Sequence, residues 1–218
     1  MPAIVLTGHA GRIEAKYHHS RDSMAPLAIV LHPSPAQGGT MNNRVTLALY
    51  NAFVESGFSA LRFNFRGVGK SEGTFDNGEG ELTDAAAVLD WVQSINIRQR
   101  QIWVGGFSFG ALIGMQLLMR RPEIVGFVSV CPPVNVYDFS FLAPCPVSGM
   151  IINGADDVIC PVEPVTKLVE KLNSQRGIKI NYQIVPDCDH CFTNKLDMIK
   201  DHVKAYVGGV AVKSAVNM

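Results

Sequence analysis

The chain has 218 residues, with 19 basic and 19 acidic side chains and a formal net charge of zero at pH 7. Hydrophobic residues make up 47% of the chain and charged residues 17%, which supplies the core of one α/β domain and argues against a disordered chain. Because no excess of positive charge is present to hold a polyanion, these values exclude nucleic acid as the expected partner.

In chain order, the sequence predicts an antiparallel hairpin and then strands that alternate with helices. Residues 3–8 and 12–19 form the hairpin around a glycine-rich turn, and a strand buried on both faces follows at 26–33. The next predicted elements are helix 42–56, strand 58–65, helix 81–95, strand 101–105, helix 109–120, strand 124–131, strand 147–153, helix 162–173, strand 178–185 and helix 191–206.

This alternation is typical of a mostly parallel sheet that is covered by helices on both faces, because the short strands are apolar on both sides. We expect a single domain over residues 1–218, with a poorly ordered tail from about residue 207. In such sheets the functional groups lie in the loops at the carboxyl ends of the strands.

No export signal is visible, because the N-terminal segment lacks a basic region followed by an apolar run and a small-residue cleavage site. No apolar run approaches the roughly 20 residues that cross a membrane. The five cysteines are an odd number, which favours free thiols in a reducing compartment. We therefore expect a cytoplasmic protein with no membrane partner.

The segment RGVGKS, residues 66–71, ends like a phosphate-binding loop. That loop requires G-x-x-x-x-G-K-[ST], and Asn64 stands where the first glycine should precede Gly69. We therefore predict no nucleotide site. We expect the glycines to form a tight bend in which Arg66 binds neighbouring carbonyl groups.

The segment GFSFG, residues 106–110, fits G-x-S-x-G between a predicted strand and a predicted helix. A nucleophile on such a sharp turn takes strained backbone angles, so Gly106 and Gly110 meet the need for neighbours without side chains. An ordinary glycine-rich turn is the alternative interpretation. The apolar helix that follows favours Ser108 as the nucleophile.

A serine nucleophile needs a base and an orienting carboxylate, which follow it in the order acid and then histidine. Asp156 and Asp157 both follow the strand predicted at 147–153, and His190 follows the last strand. A helix cap for either aspartate and a surface position for the histidine are the alternatives. The joint pattern favours a catalytic triad. The residues alone leave open which of the two aspartates belongs to it.

Three of these segments, GGFSFGA at 105–111, NGADDVICP at 153–161 and DHCF at 189–192, resemble the nucleophile, acid and histidine loops of α/β-hydrolases. The stretch LRFNFRGVGKSEGTFDNGEGE, together with the rest of residues 26–200, resembles a small bacterial group of predicted hydrolases and esterases that lack a large cap domain. The resemblance implies the α/β-hydrolase fold. It also implies Asp157 as the acid, three residues after Gly154.

The oxyanion of a tetrahedral intermediate needs two backbone N–H donors. Phe109, the residue after the nucleophile, supplies one donor. In HPSP, residues 32–35, Ser34 is the residue between two prolines that carry no N–H, and its place matches the family's second oxyanion donor. We expect His32 to hold the shape of this loop.

The loop after the strand at 124–131 has about fifteen residues between Cys131 and Val147, which is too short for a helical cap. We therefore expect a shallow, open site. Phe139, Phe141 and Leu142 are candidates for the lining of an acyl pocket, with core packing as the alternative interpretation.

Cys188 and Cys191 flank the proposed base with the spacing of half a zinc site. A structural zinc needs four ligands, no second C-x-x-C pair exists in the sequence, and a metal on His190 would remove its basicity. We therefore predict no metal and no cofactor. A redox-sensitive thiol pair and inert packing both stay open for these two cysteines.

These features predict a serine hydrolase, most specifically a carboxylesterase that acts on small or short-acyl esters through an acyl-enzyme. Ser108 would attack, His190 would relay the proton and Asp157 would orient the imidazole. A thioesterase, a peptidase-like acyl hydrolase and a catalytically idle binding protein on the same fold are the alternatives. The expected partner is a small acyl substrate. A homodimer stays open because a shallow site would expose apolar residues, although no interface signature is visible.

Overall fold

The computed structural model describes residues 3–96 and 101–216. Within these residues, strands and helices alternate after an initial hairpin, as predicted. The strands are β1 Ala3–Gly8, β2 Gly11–His18, β3 Leu27–Leu31, β4 Ser59–Phe63, β5 Ile102–Phe107, β6 Ile124–Val130, β7 Gly149–Gly154 and β8 Ile180–Val185. The α-helices are α1 Arg44–Glu55, α2 Glu79–Ser94, α3 Phe109–Leu118, α4 Val162–Asn173 and α5 Leu196–Val216.

The described strands form one sheet in the order β1-β2-β4-β3-β5-β6-β7-β8. The hairpin β1-β2 is antiparallel and pairs antiparallel with β4, while β4 and the remaining strands run parallel to one another. Because β5, β6, β7 and β8 are consecutive neighbours, the loops that follow their carboxyl ends meet at one edge of the sheet.

The core lies in two layers on opposite faces of the sheet. Helices α2, α3 and α4 bury their apolar residues in one layer, and α1 and α5 bury theirs in the other. Helix α3 is buried on nearly every side, which explains why its sequence is apolar all round. Helix α4 instead buries one stripe: Val165, Leu168, Val169 and Leu172.

The predicted bounds of the last helix were wrong. Helix α5 begins at Leu196 rather than near residue 191, and it continues to Val216 rather than ending near residue 206. The predicted tail from about residue 207 is therefore helical as far as Val216. The last two residues of the tail lie outside the described part of the chain. Helix α5 packs against α1, and this contact is not visible in the sequence pattern.

The loop between β6 and β7 contains one short 3₁₀ helix, Ser140–Leu142, and no cap domain, as predicted. Among the described residues, no helix has the length and apolar character needed to cross a membrane.

The Gly-Lys-Ser loop after β4 is closed by hydrogen bonds to its own neighbours. The Lys70 N–H donates to Glu14 Oε2 at 2.9 Å, and the Ser71 hydroxyl donates to the Asn64 carbonyl at 2.7 Å. A Cβ on Gly69 would lie 2.5 Å from the Asn64 amide and 2.6 Å from the Glu14 carboxylate. A carboxylate thus occupies the side of the loop where a phosphate would have to bind.

The prediction that Arg66 binds carbonyl groups was wrong. Its guanidinium donates from Nε and Nη2 to the two carboxylate oxygens of Asp84 in α2, at 2.9 and 2.8 Å. The hydrogen bonds to this carboxylate raise the pKa of Arg66 above its usual value, although burial opposes them. The residue therefore joins the loop to α2 through a two-point ion pair.

Candidate active site

Ser108 lies on the turn between β5 and α3, with φ 55° and ψ −120°. Positive φ is uncommon for a residue with a side chain and clusters at functional sites. The turn is held from the neighbouring strand, since the Ser108 N–H donates to the Val130 carbonyl at 2.9 Å. The predicted strained conformation is therefore present at the predicted position.

The two glycines of this turn make close backbone contacts. A Cβ on Gly106 would lie 2.2 Å from the Gly110 carbonyl oxygen. A Cβ on Gly110 would lie 2.4 Å from the Leu31 carbonyl oxygen and 2.6 Å from that of His32. Both positions exclude a side chain, and the second does so because the turn packs on the end of β3.

Asp157 and His190 meet after β7 and β8. The imidazole Nδ1 lies 2.8 Å from Asp157 Oδ2, and both side chains are largely buried. The other carboxylate oxygen accepts the N–H groups of Ile159 at 2.9 Å and Cys160 at 2.7 Å. Asp156 is exposed, so the structure places the aspartate chosen by resemblance, and not its neighbour, against the histidine.

The electrostatics of this pair define the imidazole tautomer. Burial by itself would raise the pKa of Asp157, but hydrogen bonds from His190 and from the Cys160 N–H, together with the neighbouring Cys131 thiol, more than offset it, and the net shift is downward. The carboxylate is therefore ionised near neutrality and accepts a proton-bearing Nδ1. The neutral imidazole then carries its lone pair on Nε2.

Two contacts place His190 beside the serine turn. The His190 ring lies 4.9 Å, centroid to centroid, from the ring of Phe107, the residue before Ser108. The Cys131 thiol, one residue after the carbonyl that holds the Ser108 N–H, lies 4.0 Å from the His190 carbonyl oxygen. The ends of β5, β6 and β8 thus bring the serine and the histidine to the same edge of the sheet.

His32 shapes the loop after β3, as predicted. The imidazole is fully buried, its Nε2 accepts the Phe65 N–H at 3.0 Å, and its Nδ1 lies 2.6 Å from the Pro33 carbonyl. Since Nε2 accepts, Nδ1 carries the proton and donates to that carbonyl. Burial lowers the pKa of His32 to about 4, against a smaller opposing effect of the Pro33 hydrogen bond. The residue is therefore neutral at pH 7.

The loop leaves the Ser34 amide available. The Ser34 carbonyl accepts the N–H groups of Gln37 and Gly39, but its own N–H donates to none of the residues the structure describes. The N–H of Phe109, at the first position of α3, also has no acceptor among residues 3–96 and 101–216. Because Gly110 packs against the start of the loop that carries Ser34, the two loops with free donors are in contact.

The predicted acyl-pocket residues lie mainly in the core. Phe139 and Leu142 expose 4% and 2% of their surface, respectively. Phe141 packs against the same core layer from a partly buried position, with its ring 5.7 Å from that of Phe139. Burial of Phe139 and Leu142 favours core packing, the alternative interpretation, at these two positions, whereas the acyl-pocket role of partly buried Phe141 stays a prediction.

Exposed apolar side chains occur instead in the loop after β6 and in the loop after β7 that carries Asp157. We call Val136, Tyr137, Val158 and Ile159 the apolar rim, and each exposes between 36% and 87% of its surface. The two loops are joined by the Asn135 side-chain amide, which donates to the Ile159 carbonyl at 2.9 Å.

The apolar rim adjoins the turn of the candidate nucleophile. The Tyr137 ring lies 6.2 Å from the ring of Phe109, the residue after Ser108. Sequence reasoning missed the rim because an apolar residue in a loop carries no sign of whether it turns inward or outward.

One group of side chains has the composition of a metal site. Among the described residues, Cys131, Asp157 and His190 offer ligand atoms that all lie within 4.8 Å of one another. Burial, followed by the negative charge of Asp157, raises the pKa of the Cys131 thiol well above its usual value, so the thiol is protonated. With the thiol protonated and Nδ1 donating to the carboxylate, these groups act as hydrogen-bond donors and an acceptor, and the absence of a metal stays a prediction.

The cysteines on either side of His190 differ in exposure. Cys188 is buried in the core and Cys191 is exposed. Burial raises the pKa of Cys188 to about 11 and also raises that of Cys191. Neither thiol has the lowered pKa that a reactive cysteine needs, which favours packing over redox chemistry at this pair.

The chain is similar to several known proteins. The family model described as X-Pro dipeptidyl-peptidase (S15 family) matches residues 20–157, more than half of the chain. "Uncharacterized protein RP471" of Rickettsia prowazekii is 47% identical over 211 residues, which cover 95% of this chain and 89% of that protein.

Solved structures are also similar. The Agrobacterium tumefaciens protein ATU1826 is 52% identical, with a TM-score of 0.92 and coverage of 95% of each chain. The Xanthomonas campestris protein XC6422, an α/β serine hydrolase without a lid, is 32% identical, with a TM-score of 0.84 and coverage of 94% of this chain and 92% of that one. These matches confirm the predicted fold, and the chain belongs to the S15 family within the α/β-hydrolase superfamily.

Proposed function

We propose that this protein is a serine hydrolase that cleaves small or short-acyl carboxylic esters without a cofactor. The observation that carries the proposal is the 2.8 Å contact between His190 Nδ1 and an ionised, buried Asp157, beside a serine held at positive φ on a strand-to-helix turn. An imidazole in this tautomer presents Nε2 as a base, which is what a serine hydroxyl requires to become a nucleophile.

The proposed reaction has two halves. In the first, the Ser108 Oγ attacks the ester carbonyl while His190 Nε2 takes the hydroxyl proton. The protonated imidazole then gives that proton to the departing alcohol, which leaves an acyl group on Ser108. In the second half, a water attacks the acyl carbonyl, its proton passes to Nε2 and then to Ser108 Oγ, and the carboxylic acid departs.

The chain's other groups stabilise charge during both halves. Asp157 stays ionised and stabilises the imidazolium through Nδ1–H. The free N–H groups of Ser34 and Phe109 are proposed to receive the negative oxygen of each tetrahedral intermediate. Such donors contribute mainly in the transition state, because they are oriented before the charge develops.

The open surface around the site supports small acyl substrates. The apolar rim offers exposed contacts for an alkyl or acyl group on the loops after β6 and β7, the second of which carries Asp157. The S15 family match makes peptides that begin with an X-Pro unit a second candidate substrate class. A thioester is a third, since the same nucleophile and donors serve each acyl group.

The test is a parallel assay of p-nitrophenyl esters, acyl thioesters and X-Pro p-nitroanilides, with wild type and Ser108→Ala. We expect ester cleavage that increases from long to short acyl chains and that disappears in the variant. Faster turnover of the X-Pro anilide would replace the esterase by a peptidase, whereas no turnover of any class would support a binding protein on the same fold.

The five cysteines are all free thiols in the structure. This supports our proposal of a reducing, cytoplasmic location. Expression of the chain with a fluorescent tag in a bacterial relative, followed by fractionation, would test it, and recovery from the periplasm would contradict it.

A further inference from the structure

The residue at the end of β6 has an unusual backbone. Cys131 has φ 48°, although cysteine is not one of the residues that favour positive φ. Its N–H donates to the Ile152 carbonyl of β7 at 2.8 Å, which fixes this conformation. The side chain is fully buried, and its sulfur lies in the cluster with Asp157 and His190 in which all ligand atoms are within 4.8 Å.

The carboxylate of Asp157 has room for one more donor. An ionised carboxylate offers about four acceptor sites. The N–H groups of Ile159 and Cys160 occupy two of them on Oδ1, and the His190 Nδ1–H occupies one on Oδ2. A fully buried carboxylate gains from filling the fourth site, since water does not reach it.

We propose that Cys131 is a positioning residue: its S–H, with the neutral His190 carbonyl oxygen 4.0 Å from the sulfur as the competing acceptor, donates to the charged Asp157 carboxylate, the stronger acceptor, and holds it in the orientation that pairs with His190. This inference rests on the proposed function of the site. Cys131 does not touch the reacting atoms, and it acts on them through the acid and the imidazole.

The protonation states agree with this assignment. The pKa of the Cys131 thiol lies well above its usual value, first because of burial and then because of the Asp157 charge, so the sulfur carries a donor proton. The neighbouring Cys131 thiol is also one of the groups that lower the pKa of Asp157. A thiol donor and a carboxylate acceptor are therefore both present near neutral pH.

Cys160 provides a matched control. Its thiol is also buried beside Asp157, and burial together with the Asp157 charge raises its pKa to about 12. Its backbone N–H is already the donor to Asp157, and its side chain has no hydrogen bond to the carboxylate in the described part of the chain. It is a thiol in the same surroundings that packs rather than donates.

The experiment compares alanine and serine at both cysteines. A serine hydroxyl keeps a donor at position 131, so C131S should retain kcat within about twofold of wild type, whereas C131A should lose roughly fivefold with little change in KM. At position 160 a hydroxyl only adds a buried polar group, so C160S should be less stable than C160A.

A second measurement reports the geometry without turnover. The His190 Nδ1–H proton gives a downfield NMR resonance when it is hydrogen-bonded to a carboxylate, and Asp157→Asn identifies it by removing that partner. We expect C131A to move this resonance and C131S to keep it near the wild-type position. If C131A does not fold, C131G replaces it, because glycine also lacks a donor and tolerates φ 48°.

The outcomes separate the two proposals. Suppose that C131S, like C160S, is impaired more than the alanine variant at the same position, and that the His190 Nδ1–H resonance does not move in C131A. These results would overturn the positioning role of Cys131 and leave only packing. The predicted resonance pattern in a protein that turns over no acyl substrate would support the positioning role and contradict the proposed function.

Discussion

Two glycine-rich turns follow parallel strands at the same edge of the sheet, and they treat their backbone donors differently. In the turn at residues 66–71 the Lys70 N–H is bound by Glu14, and Arg66 is bound by Asp84. In the turn at residues 106–110 the Phe109 N–H has no acceptor among the described residues. Glycine content thus does not distinguish a structural turn from an anion-binding one, whereas the acceptors that face each turn do.

The strain in the two turns differs as well. In the first turn, positive φ occurs at Gly67 and Gly69, where it costs little. In the second turn it occurs at Ser108, which bears a side chain. A strained residue with a reactive side chain persists only where the surroundings hold it, and here the Val130 carbonyl and the glycines do so.

The largest expected effect separates the serines of the two turns. Ser108→Ala should lower kcat at least about 10³-fold while the protein stays folded, because the nucleophile is lost. Ser71→Ala should lower the free energy of unfolding by about 1–3 kcal/mol, because its buried hydroxyl bonds the Asn64 carbonyl and the Glu14 N–H.

Ester hydrolysis and urea unfolding measure the two effects separately. Loss of turnover in both variants at equal folded fraction would contradict the division between a catalytic and a structural turn.

The next effect tests the free donors. Ser34→Pro removes a backbone N–H and should lower kcat about 10²–10³-fold with a smaller change in KM. Ser34→Ala keeps that N–H and serves as the control, so it should stay close to wild type. Steady-state kinetics on a short-chain ester distinguish them, and equal kcat values in the two variants would show that the Ser34 amide does not hold the oxyanion.

Acid stability tests the loop that carries this donor. The pKa of His32 is lowered from 6.5 to about 4, so its contribution to folding is complete above pH 6.5 and is lost as the pH falls towards 4. The loss should reach about 3 kcal/mol, since each unit of pKa corresponds to about 1.4 kcal/mol.

The measurement is the free energy of unfolding in urea at pH 7.5 and at pH 4, for wild type and His32→Gln. The wild type should lose about 3 kcal/mol more than the variant over this range. The same pH dependence in both proteins would mean that His32 is not held neutral by burial.

The smallest expected effect concerns the apolar rim. Val158→Ser should raise KM about fivefold for esters with an apolar acyl or alcohol group, which corresponds to about 1 kcal/mol of lost apolar contact. The same change should leave KM for acetate esters of polar alcohols nearly as in wild type. Michaelis constants over a series of acyl lengths check this, and a uniform KM across the series in wild type would remove the rim from the substrate site.

The sequence predicted the fold and the candidate residues because both leave local patterns. Apolar strands of five to eight residues alternate with helices, and the serine, aspartate and histidine each stand just beyond a strand. The need for glycine on both sides of the serine was predicted because a sharp turn leaves no room for side chains there. The close backbone contacts of Gly106 and Gly110 confirm that no side chain fits.

The remaining features depend on contacts between distant parts of the chain. The extension of α5 to Val216 involves packing on α1, and the partner of Arg66 is a carboxylate from a helix that begins more than ten residues later. The inward orientation of Phe139 and the place of Cys131 beside Asp157 depend on how loops fold back onto the sheet. No periodicity or motif spacing records such contacts.

The most direct test is a crystal structure of the protein after reaction with a fluorophosphonate. We expect a covalent bond from phosphorus to Ser108 Oγ, a phosphonyl oxygen about 2.7–3.1 Å from the N–H groups of Ser34 and Phe109, and His190 Nε2 directed at the ester oxygens. An adduct on another residue, or a phosphonyl oxygen turned away from both amides, would contradict this expectation.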